Sequence, residues 1–202
     1  MTQYSIPQDL KLSWTYNLPF GSQGRWFKSG PMSYVLGGWT ASAIQRYMSG
    51  MPLKIYTYTY GNDILFNPGY RPDVPLPRSQ QTLAKPKDVE FGVGAQYLNP
   101  EAFADLPSTP NGVPLHLGNA PRWQPDLRGF AQFSEDFSLI KQTPIKLTEG
   151  ANFEIRMDVI NLFNRTRLAD PDAPVGDSSS FGQIFGKTGD PRVIQLGLRI
   201  SF

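Results

Sequence analysis

Cysteine is absent from the 202 residues, which removes disulfides, thiolate metal sites and cysteine nucleophiles together. Histidine occurs once, at His116, so metal centres built from several imidazoles are excluded as well. Charge of one sign is also lacking: 19 Lys plus Arg stand against 17 Asp plus Glu, a formal net charge of +2. No Lys/Arg run concentrates that small excess, so nucleic acid is not an expected partner. Long hydrophobic runs are missing too. A spanning helix needs roughly 18 mostly apolar residues, whereas the uncharged stretch Ser29–Gln45 holds nine Gly, Pro, Ser, Thr or Gln among its 17 positions. The first residues, MTQYSIPQDL, lack a basic segment leading into an apolar core, so no signal peptide is expected there. That leaves either a cytoplasmic protein or a piece whose beginning lies upstream.

What is present is aromatic and punctuated. Aromatics make up 13% and charged residues only 18%, which excludes a disordered, solvating chain. Gly and Pro together supply 38 residues, about 19% against a usual ~12%. Such a composition suits many strands joined by loops and argues against a helical bundle.

Period two dominates the pattern. Leu10, Leu12, Trp14, Tyr16 and Leu18 alternate with Lys11, Ser13, Thr15 and Asn17. Phe153, Ile155, Met157 and Val159 alternate with Asn152, Glu154, Arg156 and Asp158. At the C-terminus Ile194, Leu196, Leu198, Ile200 and Phe202 alternate with Gln195, Gly197, Arg199 and Ser201. Weaker cases lie at Trp39–Met48, Leu53–Thr59 and Phe133–Lys141, giving about six strands.

Any antiparallel sheet with one wet face alternates in this way. The content of the two faces is more informative. Lys11, Arg46, Lys54, Glu154, Arg156, Asp158 and Arg199 fall on the polar side, and Trp, Tyr, Phe and Leu dominate the other. That is the inverted logic of a transmembrane barrel, but a soluble sandwich fits the alternation equally well. The connections, at 20–34, 49–52, 60–130, 143–150 and 165–191, run long, short, long, short, long. Outer-membrane barrels alternate so, with long loops outside and short turns on the periplasmic side, and the chain end then lies on the periplasmic side. Bacterial single-chain barrels start at eight strands. Six would leave two edges in lipid, where unpaired backbone groups find no water. The expectation is therefore an all-β, antiparallel transmembrane β-barrel fragment: about six strands in a meander, open when alone, with long extracellular loops.

The C-terminal residues FEIRMDVINLFNRTRLADP and FGQIFGKTGDPRVIQLGLRISF resemble the end of TonB-dependent outer-membrane receptors. Within these, they are most similar to the large Oar-like type that carries an N-terminal carboxypeptidase-regulatory-like domain. LSWTYNLPFG, LGGWTASAIQRYMSGMPL, YLNPEAFA, LGNAPRW and LRGFAQFSEDFSLIK resemble the same family in the same order. The resemblance implies a 22-stranded barrel filled by a plug and coupled to the TonB complex. It also implies a bacterial outer-membrane location and uptake of a large scarce ligand such as a metal chelate, vitamin or oligosaccharide. Residues 1–202 correspond on this view to the last strands and loops of such a receptor, without plug or signal peptide. The expected partners are outer-membrane lipid, the rest of the barrel and its plug, TonB through that plug, and the barrel-assembly machinery. The resemblance further implies that the assembly machinery reads the last strand and its terminal Phe202.

The chemical motifs are weak. Gly186-Lys187-Thr188 lacks the glycine a phosphate loop needs at 181, where Phe181 stands, and no helix is expected to follow it. Asn164-Arg165-Thr166 is a glycosylation triplet that bacterial context would leave idle. Asp170, Asp172 and Asp177 miss the spacing of a calcium loop. Ser178, Ser179 and Ser180 have no histidine nearby in sequence. Glu154 and Asp158 lie on one strand face about 13 Å apart at ~3.3 Å per residue, beyond the ~5–9.5 Å of paired glycosidase carboxylates. They read as interior charges offsetting Arg156 and Arg199. No catalytic residue, metal or cofactor is expected.

Segment 60–130 stands apart, with 11 of the 19 prolines as well as Tyr70, Phe91, Tyr97, Phe103 and Trp123. Proline at that density rules out regular helix or central strand over most of it, and the aromatics exceed what a linker needs. An extracellular loop with local packed structure is expected. It serves either ligand capture, with Tyr70 and Trp123 as candidate binding residues, or as a lid on the barrel mouth. The rival reading for the whole chain is a soluble, surface-exposed β-rich binding or adhesion module.

Overall fold

A computed structural model describes residues 2–57, 71–83, 95–111, 113–145, 151–176 and 179–202. Five strands form one sheet: β1 (Asp9–Asn17), β2 (Trp39–Met48), β5 (Gln132–Pro144), β6 (Asn152–Ile160) and β11 (Val193–Ser201). Each pairs antiparallel with the next in the order β1-β2-β5-β6-β11. The remaining elements are short: helix α1 (Pro31–Leu36), and strands β3 (Tyr56–Thr57), β4 (Ala95–Gln96), β7 (Arg167–Leu168), β8 (Pro174–Val175), β9 (Gln183–Ile184) and β10 (Lys187–Thr188). No helix among the described residues is long and apolar enough to cross a membrane.

The register converts sequence alternation into two chemically distinct faces, because successive side chains on a strand point to opposite sides. One row across the sheet reads Tyr16, Ala41, Leu139, Met157 and Leu196. Two residues along, the parallel row reads Trp14, Ala43, Phe137, Val159 and Ile194. The intervening row, on the opposite face, is Thr15, Ser42, Ser138, Asp158 and Gln195. A one-residue slip of any strand would exchange the faces, so the pattern itself pins the register. Strand β6 bonds to both β5 and β11, as the alternation at 151–163 requires. Strands β1 and β11 are exposed along their whole length and form the two edges of the sheet.

The sheet has five strands, not six. The described part of the alternating stretch Leu53–Thr59 does not enter it: Leu53, Ile55 and Thr57 are buried elsewhere, and Tyr56–Thr57 pairs parallel with β8. Lys54, expected on the polar face, instead lies over the Tyr56 ring at 5.5 Å. Period two reports that one side of a segment is buried and says nothing about what buries it. Losing one strand changes the parity of everything before β5. Connections 18–38 and 145–151 now leave the sheet at one end, where Asn17, Trp39, Pro144 and Asn152 lie, whereas 49–131 and 161–192 leave at the other. The expected long–short alternation therefore fails over the first half of the chain.

The chain divides into two compact units. One is the sheet with its near connections: 8–48, 132–166 and 189–202. Within it, α1 starts on a proline, whose fixed φ suits the first helical position. It closes at Gly37, whose N–H donates to the Ser33 carbonyl at 3.0 Å. The other unit is assembled from 1–7, 49–131 and 167–188. Its core is a cluster of Leu53, Ile55, Tyr97, Leu98, Ala102, Phe103, Leu127, Phe130, Val175, Phe181 and Ile184. Among its described residues regular structure is limited to two-residue strands and the three-residue 3-10 turns Arg78–Gln80 and Pro100–Ala102, as its prolines favour. Backbone segments cross closely there: a side chain at Gly50 would collide with the carbonyl of Gly129, so only glycine fits.

Candidate functional site

The polar face is a network of directly opposed pairs. Ser138 and Asp158 face each other in register, and the Ser138 hydroxyl donates to Asp158 Oδ1 at 2.6 Å. Arg156, two residues along the same strand, donates through Nε to both Asp158 oxygens at 3.0 and 2.7 Å. Gln142 donates to the opposed Glu154 at 3.1 Å, and Thr40 to the opposed Asn17 at 2.9 Å. Nearer the Asp9 end, Arg46 grips both oxygens of Asp9 at 3.0 and 2.9 Å, with Lys11 Nζ at 3.5 Å from the same carboxylate. Glu154 stands opposite Arg199 in the register. Apart from Lys54, the charges expected inside thus share one face, where Asp9 pairs with Arg46 of the neighbouring strand and Asp158 with Arg156 of its own. Ile44 and Ile140 interrupt that face.

The apolar face is exposed along its two edge strands, whereas Ala43, Glu135 and Val159 in its middle are buried. Leu10, Leu12, Trp14 and Tyr16 are 42–56% accessible, and Leu196, Leu198 and Ile200 are 62–77%. A soluble monomer rarely leaves such rows of large apolar side chains in water. Two charged residues on β5 belong to this face, and neither was singled out by sequence. Glu135 stands opposite Gln45 two positions before Phe137, and Lys141 stands opposite Trp39 two positions after Leu139. Both are neutralised locally. Arg165 Nε lies 2.9 and 3.0 Å from the two Glu135 oxygens, with its guanidinium over the rings of Phe133 and Phe163. Lys141 Nζ donates to the carbonyls of Tyr34, Val35 and Gly37, at the C-terminal end of α1, at 2.7, 3.0 and 2.7 Å. Cations there meet unsatisfied carbonyls and the negative end of the helix. Trp39 Nε1 donates to the Val35 carbonyl at 3.0 Å, and its ring stacks under Lys141.

Asn161 closes the sheet's Asp9 end. It adopts φ +54, which asparagine tolerates better than other side chains. Its amide nitrogen donates to the carbonyls of Arg165 and Asp190, and its oxygen accepts from Arg165 N. The start and finish of connection 161–192 are thereby stapled together.

The remaining candidates lie in the other unit. Tyr70 falls outside the described residues. Trp123 is half-buried beside Gln124, whose N–H donates to the Leu53 carbonyl. His116 Nε2 pairs with Asp73 Oδ2 at 2.7 Å. The Gly186-Lys187-Thr188 motif is an extended bridge, Lys187 and Thr188 pairing with Leu168 and Arg167, so no helix N-terminus stands ready for a phosphate. Of the three aspartates, Asp177 is outside the described residues, and Asp172 accepts from Ala173 N at 3.1 Å. Asp170 is exposed as a residue, but partial desolvation of its carboxyl pushes it up from the ordinary range, partly opposed by the Phe130 N–H it accepts. Burial likewise raises the Tyr97 phenol, whose ring lies 5.0 Å from that of Phe130. No group of three or more potential metal ligands occurs among the described residues. Phe202 is 97% exposed beyond the last paired residue, Ser201.

A family model described as "Outer membrane beta barrel domain" matches residues 1–195. No curated protein and no solved structure matches the chain.

Proposed function

Because the chain belongs to the outer-membrane β-barrel domain family, and so resides in the bacterial outer membrane, we propose that its five strands are one sector of the wall of a TonB-dependent receptor. The exposed apolar face meets lipid and the paired polar face lines the lumen, the arrangement such barrels require. The observation that carries the wall assignment is the row Tyr16, Ala41, Leu139, Met157, Leu196 backed by the row Thr15, Ser42, Ser138, Asp158, Gln195. The receptor type is supported by the ordered resemblance of segments along the chain to that family. A soluble adhesion module does not fit a sheet that leaves the large apolar side chains of both edge strands open to solvent.

On this reading the Asn17 end of the sheet is periplasmic, with connections 18–38 and 145–151 and the terminal Phe202. Connections 49–131 and 161–192 then belong outside, where a large ligand arrives. The open edges of β1 and β11 pair with further strands, since lipid cannot satisfy their backbone groups. The proposal assigns no catalysis, metal or cofactor to the chain, only capture and passage of a large scarce ligand.

The test is energy-dependent uptake. Cells with and without the gene are supplied with a labelled ferric chelate, cobalamin or an oligosaccharide, each with and without a proton uncoupler. Uptake of one class that needs both the gene and the proton gradient supports the reading. Gene-independent uptake of every class, with the barrel present at the surface, would leave a non-transporting barrel.

A further inference from the structure

We infer that connection 18–38 is an interfacial anchor that folds back along the apolar face and seats in the phospholipid leaflet at that end of the sheet. Only the choice of the periplasmic leaflet rests on the orientation proposed above. Continuity with the lipid-facing surface is the first ground. Lys141 and Trp39 share the apolar face with Leu139 and Ile155, and both donate to the last carbonyls of α1. The helix is therefore bound to the lipid side of the sheet rim. A turn that merely crossed between strands would have no need of that tether.

Composition and exposure give the second ground. Met32, Tyr34 and Val35 on and around this turn are 50–64% exposed, as are Trp26 and Phe27 at 50 and 51%. Trp and Tyr favour the headgroup level of a bilayer, where one end of the ring is apolar and the other wet. Phe27 is held at φ +58, a costly conformation for a bulky residue. Its contact with the Phe20 ring at 6.2 Å leaves half of it open to solvent, and in an interface burial of that half offsets the strain further.

Charge is the third ground. The only charged side chains between 18 and 38 are Arg25 and Lys28. Both line a cleft of about 860 Å³ that straddles the rim at this end of the sheet, walled by Asn17, Gln142 and Asn152 of the polar face and by Trp39 and Thr143 of the apolar one, with no acidic residue. Arg25 also lies over the Trp26 ring at 5.7 Å. Two cations at a rim without a carboxylate suit the phospholipid phosphates at the headgroup level, which a purely apolar partner could not supply.

This stretch carries no native cysteine, so the test compares each cysteine variant with the unsubstituted protein treated in the same way. The full-length protein carrying Val35→Cys or Met32→Cys is spin-labelled and reconstituted in vesicles of phosphatidylethanolamine and phosphatidylglycerol. Leu196→Cys serves as the lipid-exposed control and Arg122→Cys as the aqueous one. The expected result is collision with oxygen several-fold above that with a water-soluble nickel chelate at positions 35 and 32, as at 196. Nickel accessibility equal to that at 122 would overturn the inference. Arg25→Gln with Lys28→Gln should weaken the shielding in phosphatidylglycerol vesicles and leave it unchanged in neutral ones. Equal loss in both would overturn the electrostatic part. An impermeant maleimide on intact cells separates the two readings: labelling of the Val35→Cys variant from outside, with interfacial shielding retained, reverses the orientation and leaves the anchor standing.

Discussion

Arg165 donates through Nε to both oxygens of Glu135, 2.9 and 3.0 Å away, and the pair sits on the apolar face of the sheet between the rings of Phe133 and Phe163. The Glu135 side chain is 1% exposed and that of Arg165 is 43% exposed. The guanidinium thus shields a carboxylate that would otherwise face hydrocarbon. Removing the cation alone should cost about 3 kcal/mol, because it strands a buried charge. Arg165→Ala is therefore expected to lower refolding stability in a urea titration, and Glu135→Gln combined with it should recover part of the loss. Equal losses in the single and double variants would show that Arg165 acts through packing alone.

The two faces predict opposite tolerances at adjacent positions. Met157 stands between Leu139 and Leu196 on the lipid side, so Met157→Arg should cost ~2–4 kcal/mol near the bilayer midplane. Arg156→Lys, on the lumen side, should leave refolding stability almost unchanged. It does lose the fork that grips Asp158, but the arginine side chain is 51% exposed. Matching costs at both positions in a refolding titration would contradict the face assignment.

Asp170 gives a pH dependence of definite sign. Its folded carboxyl is raised above the ordinary 3.8 by partial desolvation. A raised acid stabilises the folded unit below that ordinary value, and the contribution is lost as pH rises through the raised one. Protease resistance of the 49–131 and 167–188 segments should therefore fall as pH climbs out of the acidic range. Asp170→Asn should flatten that dependence. Gly129→Ala should mimic the damage at low pH, because its new methyl would collide with the Asp170 carboxylate. A wild-type profile parallel to that of the asparagine variant would remove Asp170 from the account.

Asn161→Ala removes a staple and places a less tolerant residue at φ +54. The expected cost is ~1–3 kcal/mol from unpaired buried backbone groups. It should show first as proteolytic nicking within 161–192 while the sheet persists. Nicking elsewhere, with 161–192 intact, would relocate the staple.

Deleting Phe202 tests the C-terminus. The ring is 97% exposed, and termini fray unless tied down. The deletion is expected to lower the amount of folded protein in outer-membrane fractions far more than it changes ligand binding per folded molecule. Unchanged assembly with weakened binding would place Phe202 in a ligand site instead.

The wall was legible in the sequence because period two, repeated on strands with aromatic apolar sides, encodes both a strand and its face. The alternation starting at Leu10, Phe153 and Ile194 predicts β1, β6 and β11 to within a residue or so. The stretch Leu53–Thr59 carries the same signal for a different reason: Leu53 and Ile55 bury against Leu127 and Val175 in a loop core. Parity and end assignment go wrong with it, since one false strand inverts everything before β5. The charges Glu135 and Lys141 were unreadable as lipid-side residues, because their neutralising partners are distant in sequence: Arg165 in a connection, and carbonyls at the end of α1. Backbone acceptors leave no side-chain signature at all. Proline and aromatics pointed to local packing in 60–130, and its described residues Tyr97, Leu98, Phe103 and Leu127 do pack, but Tyr70 lies outside the described residues and Trp123 is only half-buried.

The short parallel pairing of Tyr56–Thr57 with Pro174–Val175 has a kinetic meaning. Strand pairs β1–β2 and β5–β6 join neighbours in the chain, so they can form as soon as each hairpin is synthesised or exported. The loop core cannot. Leu53 and Ile55 wait for Val175, Phe181 and Ile184, and closing so long a segment is slow as well as entropically unfavourable. Pulse proteolysis during refolding should find the hairpins protected before the loop core; simultaneous protection would argue for one cooperative step. A protein built this way passes through an interval in which its wall has begun to form while its long connections are still open to proteases and to one another.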